Sequence, residues 1–178
     1  MLSFHERGNI LDNDSTIVIP VTDNGYLTDE IKAAQAKFQE MNIYNEYETV
    51  VESGIRKMRN PVLICDGRFI LFAIKDRIED TTDVDYIKQG LAALVDSIFL
   101  AIANPSSYGE YSTIHETICL PKLGCGRQGL PWVDTRMLYE IYLQEVPINF
   151  KVYGDNIDPN EIWQPIMPED LPPLPGEE

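Results

Sequence analysis

The stretch from Thr117 to Trp132 constrains this chain more than any other. An apolar run, Thr117 to Leu123, has the pattern of a buried strand. It empties into three glycines, Gly124, Gly126 and Gly129, and Pro131 then stands where a helix can begin. A proline loses nothing there, because the first N–H groups of a helix have no intrahelical partner. Strand, glycine loop and helix start, in that order, is how an α/β protein turns backbone N–H groups toward an anion, with the helix dipole adding positive potential.

The rest of the chain supplies strands and helices in alternation. Leu2 to Phe4 reads as a short first strand, and Thr16 to Val21 as a β-branched run buried on both faces. Thr28, Asp29 and Glu30 give an N-cap and an acidic first turn to a helix with Ile31, Ala34, Phe38 and Met41 on one face. A second helix is expected from Glu46 to Met58, with Val50, Val51, Ile55 and Met58 apolar. Two strands, 61–65 and 69–74, flank Asp66-Gly67, a hairpin turn signal. The strongest helical period runs from Asp83 to Ala103, through Val84, Ile87, Leu91, Leu94, Val95, Ile98 and Ile102. A helix from Pro131 to Gln144, with Trp132, Met137, Leu138, Ile141 and Tyr142 as core candidates, leads to a last strand over 148–153. This pattern predicts a three-layer α/β domain with a mixed central sheet.

Composition excludes some functions. The 178 residues suit one domain, and the net charge of −15 argues against a general nucleic-acid binder. Residues 155–178 hold Asp155, Asp158, Glu161, Glu169, Asp170, Glu177 and Glu178, no basic residue and half of the prolines. The expected division is therefore a domain over 1–154 and an acidic Pro-rich tail over 155–178, suited to a basic protein partner. No uninterrupted apolar run reaches the roughly 18 residues of a membrane span, so no membrane partner is expected. The N-terminus lacks a basic segment followed by an apolar one, so no secretory signal is expected. Cys65, Cys119 and Cys125 lack CxxC spacing and fit a reducing compartment, which makes the cytoplasm the expected location. His5 and His115 form no ligand pair with them, so no metal site is expected.

Gly124-x-Gly126-x-x-Gly129 matches the dinucleotide fingerprint literally, with Asp155 beyond it. A dinucleotide-binding half opens with this turn and continues through further βα units, whereas only one strand follows here. The glycines could equally serve a tight strand-to-helix turn and nothing else.

Leu120-Pro121-Lys122-Leu123-Gly124-Cys125-Gly126-Arg127-Gln128-Gly129-Leu130-Pro131-Trp132 resembles the second ligand loop of macro domains. It is most similar to the branch holding terminal ADP-ribose glycohydrolases, ADP-ribose-1″-phosphatases and phage-encoded relatives. The likeness extends to Asp66-Gly67-Arg68-Phe69-Ile70, to the final Phe150-Lys151-Val152-Tyr153, and to the turn Gly8-Asn9-Ile10-Leu11. It implies a three-layer α/β/α macro-domain-like fold that binds ADP-ribose or a related nucleotide, with no cofactor. Asn9 would accept from the adenine amino group and the Ile10 N–H would face the base. Tyr153 would lie against the adenine. The N–H groups of Gly124, Cys125, Gly126, Arg127, Gln128 and Gly129 would cradle the diphosphate.

The first ligand loop departs from the family pattern. Thr22 stands where the family has the asparagine of the distal ribose, with Asn24 as a substitute two residues on, and Thr28 and Glu30 replace glycines. Catalysis is accordingly the weaker expectation. The hydrolase alternative, acting on an ADP-ribosyl linkage or ADP-ribose-1″-phosphate, draws on Lys75, Asp76 and Asp23. A lysine nucleophile needs a depressed pKa, and the adjacent Asp76 is expected to raise it. Cys125 could be activated at a helix N-terminus, but a small residue in a tight loop explains it as well. Arg127 could grip phosphate as a fork. A non-catalytic interaction protein using the acidic tail is the third reading.

Overall fold

A computed structural model of the chain describes residues 1–5, 8–23, 27–53, 60–77, 79–103, 117–125 and 129–154. The expected acidic tail, the end of the second helix with Ile55 and Met58, and the loop around His115 lie outside them. Among the described residues six strands form one sheet: β1 (Leu2–His5), β2 (Thr16–Thr22), β3 (Val62–Ile64), β4 (Phe69–Lys75), β5 (Thr117–Pro121) and β6 (Asn149–Tyr153). The order across the sheet is β1-β6-β5-β2-β4-β3, and only the β3–β4 hairpin is antiparallel. The sheet is thus mixed, as the alternation of elements predicted.

Side-chain alternation along the strands divides the core into two halves. On β2, Ile17, Ile19 and Val21 face one side and Val18 the other. The first side is covered by α1 (Asp29–Lys37) and α2 (Ile43–Ser53), through Ile31, Ala34, Ile43, Tyr47 and Val50. The second is covered by α3 (Val84–Ala103) and α4 (Trp132–Leu143), through Ile87, Leu91, Leu94, Ile98, Leu138 and Leu143. Three layers result because each β-branched run buries both of its faces, at about 1.5–3 kcal/mol per fully buried large apolar side chain.

The β3–β4 turn has the chemistry its Asp-Gly pair announces. The Arg68 N–H donates to the Cys65 carbonyl at 3.1 Å, and Cys65, Asp66 and Gly67 all have positive φ, 52°, 53° and 82°. The strands close at Ile64 and Phe69, so the Asp-Gly pair sits inside a four-residue turn, with the glycine where a positive φ is cheapest.

Several expected boundaries and faces shift. The first α1 turn is capped by Thr28 as expected, and α2 begins at Ile43, three residues early, with Tyr47 as an unforeseen buried member. On α3, Ile102 is exposed, as are Phe99 and Leu100. A helix of this length spans about 30 Å, while the seven residues of β4 span about 23 Å, so the last turn outruns the sheet. By length and composition that helix could cross a membrane, although Asp85, Lys88 and Asp96 interrupt its apolar sequence. It lays one face on the sheet, as a core helix does. On α4, Met137 (54% exposed) and Ile141 (65%) face outward, correcting their placement in the core. The buried face is Thr135, Leu138, Tyr139 and Leu143. The helix is turned that way because Thr135 and Tyr139 hydrogen-bond the end of β5 and the residues just after it.

Candidate functional site

Because β1, β6, β5, β2 and β4 run parallel, their C-terminal ends share one edge, the side on which open α/β sheets hold ligands. Asn9, Ile10, Thr22, Asp23, Lys75, Asp76, Gly124, Cys125, Gly129 and Tyr153 all follow or end strands at this edge. Asn24, Gly126, Arg127 and Gln128 lie outside the described residues.

At one end of the edge a recess of about 490 Å³ is lined by Gly8, Asn9, Ile10, Pro121, Tyr153 and Gly154. Asn9 caps a short 3-10 turn, Ile10–Asp12, its Oδ1 accepting from the Leu11 N–H at 3.0 Å. The rest of its carboxamide capacity remains, since the oxygen has a second lone pair and the NH₂ two donors. Tyr153 is stacked on His5, ring centroids 5.0 Å apart and planes 13° apart. The two are register partners on the parallel strands β6 and β1. The sequence thus brings Asn9, Ile10 and Tyr153 together, with His5 as an unpredicted backing for the aromatic wall.

The glycine loop is pinned at both ends. Gly124 has φ +75°, and a Cβ there would lie 2.5 Å from Thr82 Cγ2, so only glycine fits both the backbone and the neighbour. The Leu130 N–H donates to the Gly124 carbonyl at 2.8 Å and closes the loop's mouth. From behind, the Tyr139 hydroxyl donates to the Pro121 carbonyl at 2.6 Å and accepts from the Leu123 N–H at 3.0 Å. The Thr135 hydroxyl donates to the Leu123 carbonyl at 3.2 Å. These contacts end β5 at Pro121, two residues before the apolar run does.

The Cys125 thiol points inward, 3.4 Å from Thr135 Oγ1 and 3.6 Å from the Leu123 carbonyl oxygen. Burial pushes its pKa up, so it is no activated nucleophile.

At the far end of the edge, Thr22, Asp23, Thr28 and Lys75 are buried. The Asp23 N–H donates to the Lys75 carbonyl at 3.0 Å, and Lys75 Nζ donates to the Asp80 carbonyl at 3.0 Å. Burial lowers the Lys75 pKa to about 8, against the opposing pull of Asp80, Glu30 and Glu79. The expectation that Asp76 raises it is corrected in sign: Asp76 is exposed, and desolvation of the ammonium outweighs the carboxylates. Glu30 is exposed by surface area, yet crowding around its carboxyl raises its pKa, with Asp29 adding to the effect. Both residues sit in the first turn of α1, where carboxylates complement the helix dipole.

His5, Asn13, Thr82, Thr135 and Tyr139 were not singled out as site residues by sequence reasoning. For Tyr139 and Thr135 a signal existed, since they share a helical face with Leu138 and Leu143.

No family model matches the sequence, and no curated protein matches it. Solved structures do. The macrodomain of Thermus aquaticus DarG is 23% identical with a TM-score of 0.69, covering 86% of this chain and 97% of that one. The macrodomain of Mycobacterium tuberculosis DarG is 20% identical with a TM-score of 0.71, covering 88% and 99%. Thermosipho africanus DarTG, solved in complex with ADP-ribose, is 21% identical with a TM-score of 0.68, over 92% of this chain and 43% of that one. Taken with the mixed six-stranded sheet between two helical layers, these similarities establish that the chain has the macrodomain fold.

Proposed function

We propose that this chain binds ADP-ribose, or a nucleotide derivative of the same kind, along the C-terminal edge of its sheet. The observation that carries the reading is the recess itself: an aromatic wall, Tyr153 on His5, faces a turn with the Asn9 carboxamide, beside a pinned glycine loop. In this reading Asn9 and the Ile10 N–H meet the base and Tyr153 flanks it. The loop from Gly124 through Cys125, Gly126, Arg127 and Gln128 to Gly129 takes the diphosphate, and Thr22 and Asn24 lie toward the distal ribose. The ADP-ribose bound by the Thermosipho africanus neighbour supports the ligand class. Titration calorimetry with ADP-ribose tests it: saturable heat is expected, weakened about tenfold or more in Tyr153→Ala, whose lost stacking contributes on the order of 1 kcal/mol or more. No heat at millimolar ligand overturns the reading.

A second reading, hydrolysis of an ADP-ribosyl linkage or of ADP-ribose-1″-phosphate, is favoured by Lys75. Its pKa of about 8 leaves a neutral amine fraction of roughly one in ten at pH 7, as a nucleophile or base requires. Lys75→Arg keeps the charge and removes the titration. Turnover of an ADP-ribosylated substrate is expected to vanish in that variant while ADP-ribose binding persists; undiminished turnover ends the assignment.

A further inference from the structure

Asn13 follows the 3-10 turn and is not among the described residues that line the recess, yet it holds two of the recess walls at once. Its Nδ2 donates to the Ile10 carbonyl at 2.9 Å. Its Oδ1 accepts from the Tyr153 hydroxyl at 3.0 Å, across most of the chain. The orientation of the carboxamide follows from chemistry: a carbonyl can only accept, so the nitrogen must face Ile10 and the oxygen Tyr153. The phenol proton is thereby committed to Asn13.

Asn13 is itself held. Its carbonyl and that of Ser15 accept from the two terminal nitrogens of Arg68. The Arg68 guanidinium lies over the rings of Phe38 and Phe69, 5.1 and 5.5 Å from their centroids. The support therefore runs from the core between the sheet and α1, through the β3–β4 hairpin, to the loop behind the recess.

We propose that Asn13 is the positioning residue of the recess: one carboxamide tethers the Tyr153 ring and the Ile10 turn in fixed relation, and so sets the slot between them. What the slot receives, the planar base of a nucleotide, rests on the function proposed above. The tether itself does not. Tyr153 is fixed at one place by its stacking on His5, and the hydroxyl bond supplies the second point that stops the ring from turning. Loss of the tether should cost affinity although no ligand contact is removed.

The test uses the full chain carrying 3-fluorotyrosine, in four forms: wild type, Asn13→Leu, Tyr153→Phe and the double variant. Tyr153→Phe identifies the Tyr153 fluorine resonance by its disappearance. Asn13→Leu is expected to shift or broaden that resonance alone, and to weaken ADP-ribose binding about tenfold, the scale of one or two hydrogen bonds. The double variant is expected to bind little worse than Asn13→Leu, because both single changes cut the same tether. Should Asn13→Leu fail to fold, Asn13→Ala adds no bulk and is read the same way. Penalties that simply multiply, or an Asn13 variant with wild-type affinity and an unmoved resonance, overturn the proposal. Should the wild type take no ADP-ribose, the nucleotide reading falls, and the resonance alone decides: moved, Asn13 holds the wall; unmoved, it does not.

Discussion

Lys75 shows how one residue's chemistry is set by surroundings that its sequence neighbours do not report. It is 2% exposed on the α1 side of β4, whereas Asp76, next in sequence, lies beyond the strand in solvent. The motif around the hairpin was enough to nominate Lys75. Its pKa was not legible, because burial is a property of the packed strand and local charge pointed the wrong way. The sign has a measurable consequence. A lysine whose folded pKa is about 8 and unfolded value 10.5 opposes folding most below pH 8. Between pH 8 and 10.5 the folded protein has released the proton while the unfolded chain keeps it, so stability rises with pH. Relative to Lys75→Met, the wild type is expected to gain roughly 2–3 kcal/mol over that interval, from the shift at about 1.4 kcal/mol per unit. Denaturant unfolding of both proteins at several pH values checks this; parallel pH profiles would show that Lys75 is not desolvated.

At the scale of elements, β5, the glycine loop and α4 act as one unit. The loop was legible because three glycines after an apolar run leave a chain little choice but a tight turn. The face of α4 was not, since counting apolar residues favoured Met137 and Ile141 over Tyr139. The polar members won because the end of β5 needs partners for Pro121 and Leu123, and α4 supplies two hydroxyls. Tyr139→Phe is therefore expected to destabilise the protein by about 1–2 kcal/mol, the usual cost of a lost buried hydrogen-bond partner, seen as a lower denaturant midpoint at unchanged slope. Gly124→Ala is expected to destabilise it through both φ and the Thr82 contact. Thr82→Ala in the same chain should recover only the part of the steric cost that Cγ2 and Oγ1 impose, because the Thr82 Cβ, 3.0 Å away, remains. Full recovery would mean that the backbone conformation costs nothing.

For the whole molecule, alternation and element order gave away the three layers, because each buried strand must cover two faces. The strand order was less legible: nothing local in Leu2 to His5 says that it pairs with residues 150–153. Residues 155–178 hold half of the prolines and no basic residue, a composition poor at building a packed core, so their deletion is expected to leave a cooperative thermal transition within a few degrees of wild type. Loss of folding would instead make the acidic segment part of the structure.

The pairing of β1 with β6 carries one more consequence, for how the protein is made. His5 and Tyr153 are opposite each other, and the Met1 amino group and carbonyl bond to Ile148 and Phe150. A ribosome delivers β6 long after β1, so this pairing of partners far apart in sequence cannot form until the last strand has left it. The turn with Asn9 and Ile10 is made well before its opposing ring and waits for it while the intervening elements are synthesised. A chain stopped before Asn149 has the glycine loop and no wall to set beside it.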